Sequence, residues 1–316
     1  MYSLLLQVWK GYRTVNMVNE VPSDKEALCY LCLDGDLDDD GQPLRRDCAC
    51  RGSDAGFVHL ECLAEYAAAK SKQASDMNKF VEPWVVCPSC HQYHQNELRI
   101  DIATEFVSFV RKQYPRDTQS QVESLFVKVC AFDSILNMLK PVQKREAGVT
   151  ANVLLSIIDR MKGDASLSRR YCQIEAFAYG AHGRIALNEG TEESARRAVA
   201  YFEKELKVCK ATGDTDGIAA AKSNIAIAKS ECEGGSNEEV LKASEELYKV
   251  RAAELGDEHE HTIKSGKNYA FCLQKANRCD EARELLTKLF ATSKQVLGTN
   301  HKTTKMVETM HIKANN

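Results

Sequence analysis

Proline and long apolar runs are both scarce in this chain. There are six prolines in 316 residues, and none after Pro141, so the second half can form long helices. No apolar run approaches the roughly 18–20 residues of a membrane span, so no membrane-spanning segment is predicted. The chain has a net charge of -3, so it lacks the excess of basic residues typical of nucleic-acid-binding proteins. We interpret residues 1–25 as an N-terminal extension and not a signal peptide, because no basic residue precedes the apolar run and no cleavage site is clear.

Catalytic constellations are also missing. No nucleophile with a histidine partner, no phosphate-binding loop and no metal triad is visible, so no catalytic residue is assigned. The 13 cysteines are odd in number and follow no secretory signal, which argues against a disulfide framework. Six of them lie in helical patterns such as VKVCAF, where cysteine acts as a small apolar residue. We expect a soluble protein of the cytoplasm or the nucleus.

The other seven cysteines and one histidine form four close pairs. The pattern is C-x2-C, C-x-C, H-x2-C and C-x2-C, with gaps of 15, 8 and 24 residues. A C-x2-C turn brings two thiolates to a single metal, and zinc accepts four such ligands tetrahedrally. Four pairs therefore predict two structural Zn²⁺ ions. The predicted ligands are Cys29, Cys32, Cys48, Cys50, His59, Cys62, Cys87 and Cys90.

This ligand order resembles that of the RING-CH finger, a RING variant with four Cys, one His and three Cys. The stretches CACRGS (48–53), VHLECL (58–63) and CPSCHQY (87–93) add to the resemblance, which covers roughly residues 26–95. One departure is Tyr66, which stands where the family usually has Trp. In that family the pairs interleave. The resemblance implies a first zinc on Cys29, Cys32, His59 and Cys62, and a second on Cys48, Cys50, Cys87 and Cys90.

A PHD finger, which reads histone tails, has the same ligand order. Trp84, three residues before Cys87, is in keeping with that alternative. The single residue between Cys48 and Cys50 favours the RING-CH finger.

Two further metal-binding alternatives stay open. His91 and His94 could serve as zinc ligands, although the four pairs are complete without them. The acidic stretch DLDDDGQPLRRD (36–47) has EF-hand-like offsets, but Pro43 and the flanking zinc pairs favour a solvated loop over a calcium site.

The RING-CH resemblance implies a function without a catalytic nucleophile. RING fingers dock a ubiquitin-conjugating enzyme and orient its ubiquitin thioester. The docking residues implied here are Leu31, Leu63, Tyr66 and Pro88; the alternative is that they only pack around the zinc sites. His91 follows the last ligand, where many active RING fingers have a basic residue, which weakens the prediction of ligase activity.

The chain changes character near residue 99. Apolar residues then recur at intervals of three and four, as in ATEFVSFVRKQY and ARRAVAYFEKELKVCK, which predicts amphipathic helices. LGDEHEHT (255–262) returns as LGTNHKTT (297–304), a period of 42, and SNIAIAKSE (223–231) matches KNYAFCLQK (267–275). This repeat resembles the tetratricopeptide repeats (TPR) of the kinesin light chain type, which implies a right-handed solenoid with a concave groove.

Within the repeats, two asparagines are candidate peptide-binding residues. Asn224 and Asn268 stand where this repeat type often has an Asn that bonds the backbone of a bound peptide; the alternative is a plain surface role. His259 and His301 are interpreted as structural turn residues at helix starts.

We therefore expect a mainly α fold in three parts after the extension. These are a two-zinc RING-CH-type finger at 26–98, a helical region of degenerate repeats at 99–189, and TPR-like repeats at 190–316. The finger and the helices are expected to have separate cores. The first functional hypothesis is a RING-type ubiquitin-protein ligase whose repeats bind a substrate or partner. The alternative is a non-catalytic zinc-finger and TPR scaffold.

Overall fold

The structure is a computed structural model, and the residues it describes are 27–35, 37, 41, 43–47, 56–162, 168–232, 237–299 and 301–315. Among them are twelve α-helices, and the only β-structure in these ranges is isolated bridges. The predicted mainly α fold is confirmed. The chain divides between Arg160 and Met161 into two units. The extension at 1–25 lies outside the described residues.

The first unit contains the finger and the helices that follow it. These helices are α1 (Leu60–Lys72), α2 (Met77–Val81), α3 (Asn96–Gln113), α4 (Thr118–Ser134) and α5 (Pro141–Lys162), of which the last two residues pass into the second unit. Short 3-10 turns at Glu82–Trp84 and Leu136–Met138 connect them.

Helix α4 is buried on nearly all sides. Asp117 caps its first turn by accepting a hydrogen bond from the Gln119 backbone N–H at 3.0 Å. An unbroken buried run follows from Val122 to Phe132, and it includes Lys128. The Lys128 ammonium lies 2.6 Å from the Glu146 carboxylate of α5, which compensates the buried charge.

The finger and α3 share one hydrophobic core. The Trp84 ring stacks on Phe106 of α3 with centroids 4.9 Å apart, and Phe80 contacts Phe106 at 5.6 Å and Tyr114 at 5.4 Å. The expectation of separate cores is wrong here, because residues on both sides of residue 98 bury their rings against one another.

The second unit is an array of seven helices. They are α6 (Arg169–Leu187), α7 (Glu192–Thr212), α8 (Thr215–Cys232), α9 (Asn237–Leu255), α10 (Glu260–Lys275), α11 (Cys279–Leu297) and α12 (Lys302–Asn315). Each helix packs on the next in chain order, while α6 also contacts α8 and α10 contacts α12. This is the packing of stacked helix pairs in which every second helix lies in one layer, as in a solenoid.

The 42-residue period is visible in hydrogen bonds as well as in sequence. The imidazole Nδ1 of His259 accepts the His261 backbone N–H at 3.1 Å, and that of His301 accepts the Thr303 N–H at 3.2 Å. Both histidines thus cap a helix N-terminus, as the sequence indicated. One turn on, Thr262 and Thr304 each donate to a backbone carbonyl of the preceding helix, at 3.1 Å and 3.2 Å.

Glycine allows α6 and α7 to approach closely. A Cβ atom at Gly183 would lie 2.3 Å from the Phe202 ring. Phe202 is fully buried and packs with Ala186, Ala198 and Ala228. The close approach therefore places one large side chain between small residues of three helices.

Candidate metal centre

The first C-x2-C pair forms a tight hydrogen-bonded turn. The Cys29 N–H donates to the Asp34 carbonyl at 2.8 Å, and the Leu33 N–H donates to the Cys29 carbonyl at 2.9 Å. Leu33 adopts a left-handed φ of 67°, and Leu28 and Gly35 form a β-bridge at the base of the turn. Backbone bonds therefore hold the two thiols on one side of a fixed loop.

The last C-x2-C pair repeats this turn 58 residues later. The Cys87 N–H donates to the Gln92 carbonyl at 2.8 Å, and the His91 N–H donates to the Cys87 carbonyl at 2.9 Å. His91 has a φ of 55°, and Val86 and Tyr93 form the matching bridge. Since every bond has its counterpart, the two pairs are equivalent knuckles, each built to present two sulfur atoms.

The H-x2-C pair completes the first set of donors. His59 precedes α1, and Cys62 lies in the first turn of that helix. The Tyr30 N–H donates to the Phe57 carbonyl at 3.0 Å, and Val58 exchanges two hydrogen bonds with Arg45 at 2.8 Å and 2.9 Å. These bonds bring the first knuckle beside His59.

Four donor atoms meet at this point. Those of Cys29, Cys32, His59 and Cys62 all lie within 4.8 Å of one another. The His59 Nδ1 is 3.4 Å from the Cys32 sulfur and 3.8 Å from the Cys62 sulfur. A tetrahedral zinc with ordinary bond lengths places nitrogen and sulfur ligands about 3.6 Å apart. The donor set and its spacing therefore fit Zn²⁺.

The thiols of this cluster need a cation in order to ionise together. Burial, together with the neighbouring Cys32 and Cys29 sulfurs, raises the pKa of Cys62 to about 12. A divalent metal reverses that effect, because it stabilises thiolates directly.

The second predicted set is described only in part. Cys48 and Cys50 lie outside the described residues, as do Asp36, Asp38 and Asp40 of the acidic stretch weighed for calcium. Cys87 is buried and Cys90 half-buried at the second knuckle.

The two histidines considered as alternative ligands differ in burial. His91 is exposed, whereas His94 is 1% exposed, and burial lowers the pKa of His94 to about 4. His94 thus presents a neutral, buried imidazole beside the second knuckle, as a zinc ligand requires. Its role as an alternative zinc ligand stays a prediction.

The four residues predicted to dock a partner are not equally accessible. Leu31, Pro88 and Tyr66 are half-buried, and the Lys70 ammonium lies 5.7 Å from the centre of the Tyr66 ring. Leu63 is fully buried, so its side chain offers no surface to a partner.

The sequence argument missed three exposed leucines on the finger. Leu28, Leu33 and Leu37 are 47%, 71% and 59% exposed. Leu33 directly follows the second ligand, in the position that His91 occupies in the other knuckle. The matching C-x2-C spacing could have singled out Leu33 and His91 as equivalent positions.

The two candidate peptide-binding residues lie on alternate helices of the second unit. Asn224 belongs to α8 and is half-buried, and Asn268 belongs to α10 and is exposed. Phe271, one turn after Asn268, is 49% exposed and lies beneath the Lys275 ammonium at 5.2 Å.

Comparison with known proteins identifies the finger. Residues 29–90 match the RING-variant domain. The match spans all eight predicted ligands, from Cys29 to Cys90. No curated protein matches the chain. The chain therefore contains a RING-variant domain, a class in which Cys and His ligands bind zinc.

Solved structures similar to the chain include two of a protein with TPR-like repeats. Two crystal structures of a putative kinesin light chain with nearly identical TPR-like repeats from Podosopora anserina, one of them a point variant, are each 18% identical to it. Each similarity covers 75% of this chain and 95% of the other, with TM-scores of 0.43 and 0.41. BtubC (BKLC) from P. vanneervenii is 14% identical over 69% of this chain and 89% of its own, with a TM-score of 0.48. At these TM-scores, the repeat assignment rests on the helix packing and the sequence period.

No helix in the described ranges is both long and apolar enough to cross a bilayer.

Proposed function

We propose that this protein is a RING-type ubiquitin-protein ligase. Its finger would hold two zinc ions and recruit a ubiquitin-conjugating enzyme, while its helical repeats bind a substrate or partner. The observation that carries the proposal is the pair of equivalent knuckles within a RING-variant domain, with a four-donor cluster at the first. The ligand thiolates would be scaffold, so none of them acts as a nucleophile.

The docking surface would consist of Leu31, Pro88 and Tyr66. Leu31 lies between the two cysteines of the first knuckle and Pro88 between those of the second, so both are carried by loops with fixed backbones. A rigid apolar platform of this kind would accelerate transfer by holding the conjugating enzyme and its thioester in one orientation.

Autoubiquitination with a panel of conjugating enzymes tests the docking surface. The wild-type chain should form ubiquitin conjugates with at least one enzyme, and Leu31→Ala should abolish them. Leu37→Ala is the matched control, because Leu37 is an exposed leucine of the same finger that belongs to neither C-x2-C turn and pairs with Pro43 instead. A zinc-loaded wild-type chain that transfers no ubiquitin with any enzyme of the panel would exclude a ligase.

The alternative function is a non-catalytic scaffold, and His91 favours it. This residue follows the last ligand, where a ligase gains from a basic side chain that holds ubiquitin. If the finger is only weakly active for this reason, His91→Arg should increase ubiquitin transfer. A scaffold predicts no transfer by either form.

Substrate recognition would fall to the groove of the second unit. Asn224 and Asn268 would bond the backbone of an extended peptide, since an amide both donates and accepts. Proteins that co-purify with the wild-type chain from proteasome-inhibited cells should be lost with the Asn224→Ala, Asn268→Ala double variant. An unchanged set of co-purifying proteins would contradict this role.

A further inference from the structure

A half-open cavity that the proposed ligase function does not use lies between helices α3, α4 and α5 of the first unit. Its volume is about 440 Å³. Four apolar side chains line it, Val107, Leu125, Val149 and Val153. A cavity of this size accommodates one or two large side chains of a partner.

An exposed apolar stripe extends from the cavity along α5. Val142, Val149 and Val153 are 60%, 61% and 36% exposed, and Met138, just before the helix, is 66% exposed. Residues 142 and 149 are seven apart and 149 and 153 are four apart, so these valines lie on one face of the helix. At 1.5 Å per residue the stripe from Val142 to Val153 is about 16 Å long, or three helical turns.

The border of this surface is basic. Arg111 and Lys112, in the last turn of α3, line the cavity, and Arg145 lies one turn before Val149 on α5. These three side chains form no hydrogen bond or ion pair with any described residue. The acidic group on the stripe, Glu146, is already engaged by Lys128 at 2.6 Å. Among the charged residues that line the cavity or lie on the stripe, those without an ion-pair partner are therefore positive.

We propose that the cavity and the α5 stripe together bind an amphipathic, acidic helix of a partner protein. The partner's apolar face would lie along Val142, Val149 and Val153 and insert a side chain into the cavity. Its carboxylates would pair with Arg111, Lys112 and Arg145. Three turns of contact with apolar anchors at every third or fourth position is the usual form of helix-in-groove recognition, and the positive border selects acidic sequences over basic ones.

This docking surface is distinct from both sites of the proposed function. It lies on α3, α4 and α5, whereas the conjugating enzyme would contact the two knuckles, and the substrate groove belongs to the second unit. Its variants should leave autoubiquitination unchanged, so failure of this proposal and failure of the ligase proposal are separately observable.

A selection from a displayed library of helix-forming peptides tests the proposal. Peptides of about 16 residues, long enough for four turns, are selected on the zinc-loaded full-length chain and counter-selected on Val149→Asp. Val149 is an exposed position, so the variant should fold, and circular dichroism checks this. Enriched sequences should carry apolar residues three or four apart, with Asp or Glu beside them.

The affinity of a synthetic enriched peptide, measured by fluorescence anisotropy, then tests the charge requirement. The Arg111→Glu, Lys112→Glu double variant should weaken binding by about tenfold or more. Met306→Asp is the control, since Met306 is an exposed apolar residue of α12 and should not affect binding. No enrichment over Val149→Asp, enrichment of basic peptides, or equal binding by the double variant would each overturn the proposal.

Two other occupants of this surface, a membrane and a second copy of the chain, are distinguished by separate measurements. Binding to phosphatidylserine vesicles that Val149→Asp abolishes would assign the surface to a membrane. Self-association in sedimentation that Val149→Asp abolishes would assign it to a second copy of the chain. Either result would replace the proposed partner.

Discussion

The His182 side chain of α6 is a buried base held in its neutral form. Its ring stacks on Tyr201 with centroids 4.6 Å apart, and among the described residues its Nε2 has no hydrogen-bond partner. Burial and the nearby Lys204 lower the pKa of His182 to about 4. Folding therefore excludes a proton that the unfolded chain accepts in mild acid.

The α6–α7 region should consequently lose stability in mild acid. The unfolded histidine has a pKa of about 6.5, so stability is full above that pH. It should fall by up to about 1.4 kcal/mol per pH unit as the pH decreases towards the folded-state pKa. Urea unfolding of wild type and His182→Phe between about pH 7 and about pH 5 isolates this effect, because phenylalanine keeps the ring and cannot titrate. Parallel pH dependence in the two proteins would contradict it.

Single residues also mark the limits of sequence-based prediction. The spacing of the cysteines and His59 was enough to predict four ligand pairs, because metal ligation requires those residue types at short intervals. That Cys29, Cys32, His59 and Cys62 share one site followed only from the RING-CH resemblance, and the structure brings these four together. The burial of Leu63 and the shared core of Trp84 and Phe106 were not predictable in this way. They depend on which side chains meet from distant parts of the chain, and no local pattern encodes that.

At the scale of elements, α6 and α7 approach each other closely at Gly183. A methyl group at Gly183 would meet the Phe202 ring at 2.3 Å, and Phe202 is fully buried. Gly266 of α10 is less tightly packed, since its Cβ would meet the Leu289 methyl groups and the Tyr248 ring at 3.0 Å.

Alanine at these two glycines should therefore have unequal effects. Gly183→Ala should lower the free energy of unfolding by about 1–3 kcal/mol through overpacking. Gly266→Ala should cost less, because neighbours at 3.0 Å need to move far less to admit a methyl group than a ring at 2.3 Å. Combining Gly183→Ala with Phe202→Leu should restore part of the loss. Urea midpoints measure all four proteins, and equal effects at the two glycines would be inconsistent with this packing.

The repeat elements were largely predictable, whereas the packing of α3, α4 and α5 in the first unit was not. The LG-x-x-H-x-x-T pattern at 255–262 and 297–304 places a cap and a threonine at equivalent points, and both histidines do cap their helices. The cavity between α3, α4 and α5 has no such signal. It arises from helices that show no internal repeat, so the sequence does not indicate how they pack on one another.

At the scale of the whole molecule, the division into two units means that metal loss should act on one of them. The first unit contains the finger, and Phe80 and Trp84 connect its core to α3. Without zinc, the knuckles lose the ion that holds them together. Helix α3 then loses the aromatic rings of the finger that pack against it.

Chelation should therefore increase hydrogen exchange across 27–113 and leave exchange at 169–315 unchanged. This pattern differs from unfolding of the finger alone, which would leave α3 protected. Addition of zinc in place of chelator is the control. Protection of α3 that survives full removal of zinc would contradict the shared core, and loss of protection throughout α6–α12 would contradict the division into units.

The equivalent knuckles make the number of zinc ions the most direct test of this account. Native mass spectrometry of the full-length chain should find two zinc ions, and one in a Cys87→Ser, Cys90→Ser double variant that retains the first cluster. A wild-type chain with a single zinc would show that the second knuckle is not a metal site. The interleaved two-zinc arrangement implied by the RING-CH resemblance, and the ligase function proposed from it, would then be wrong.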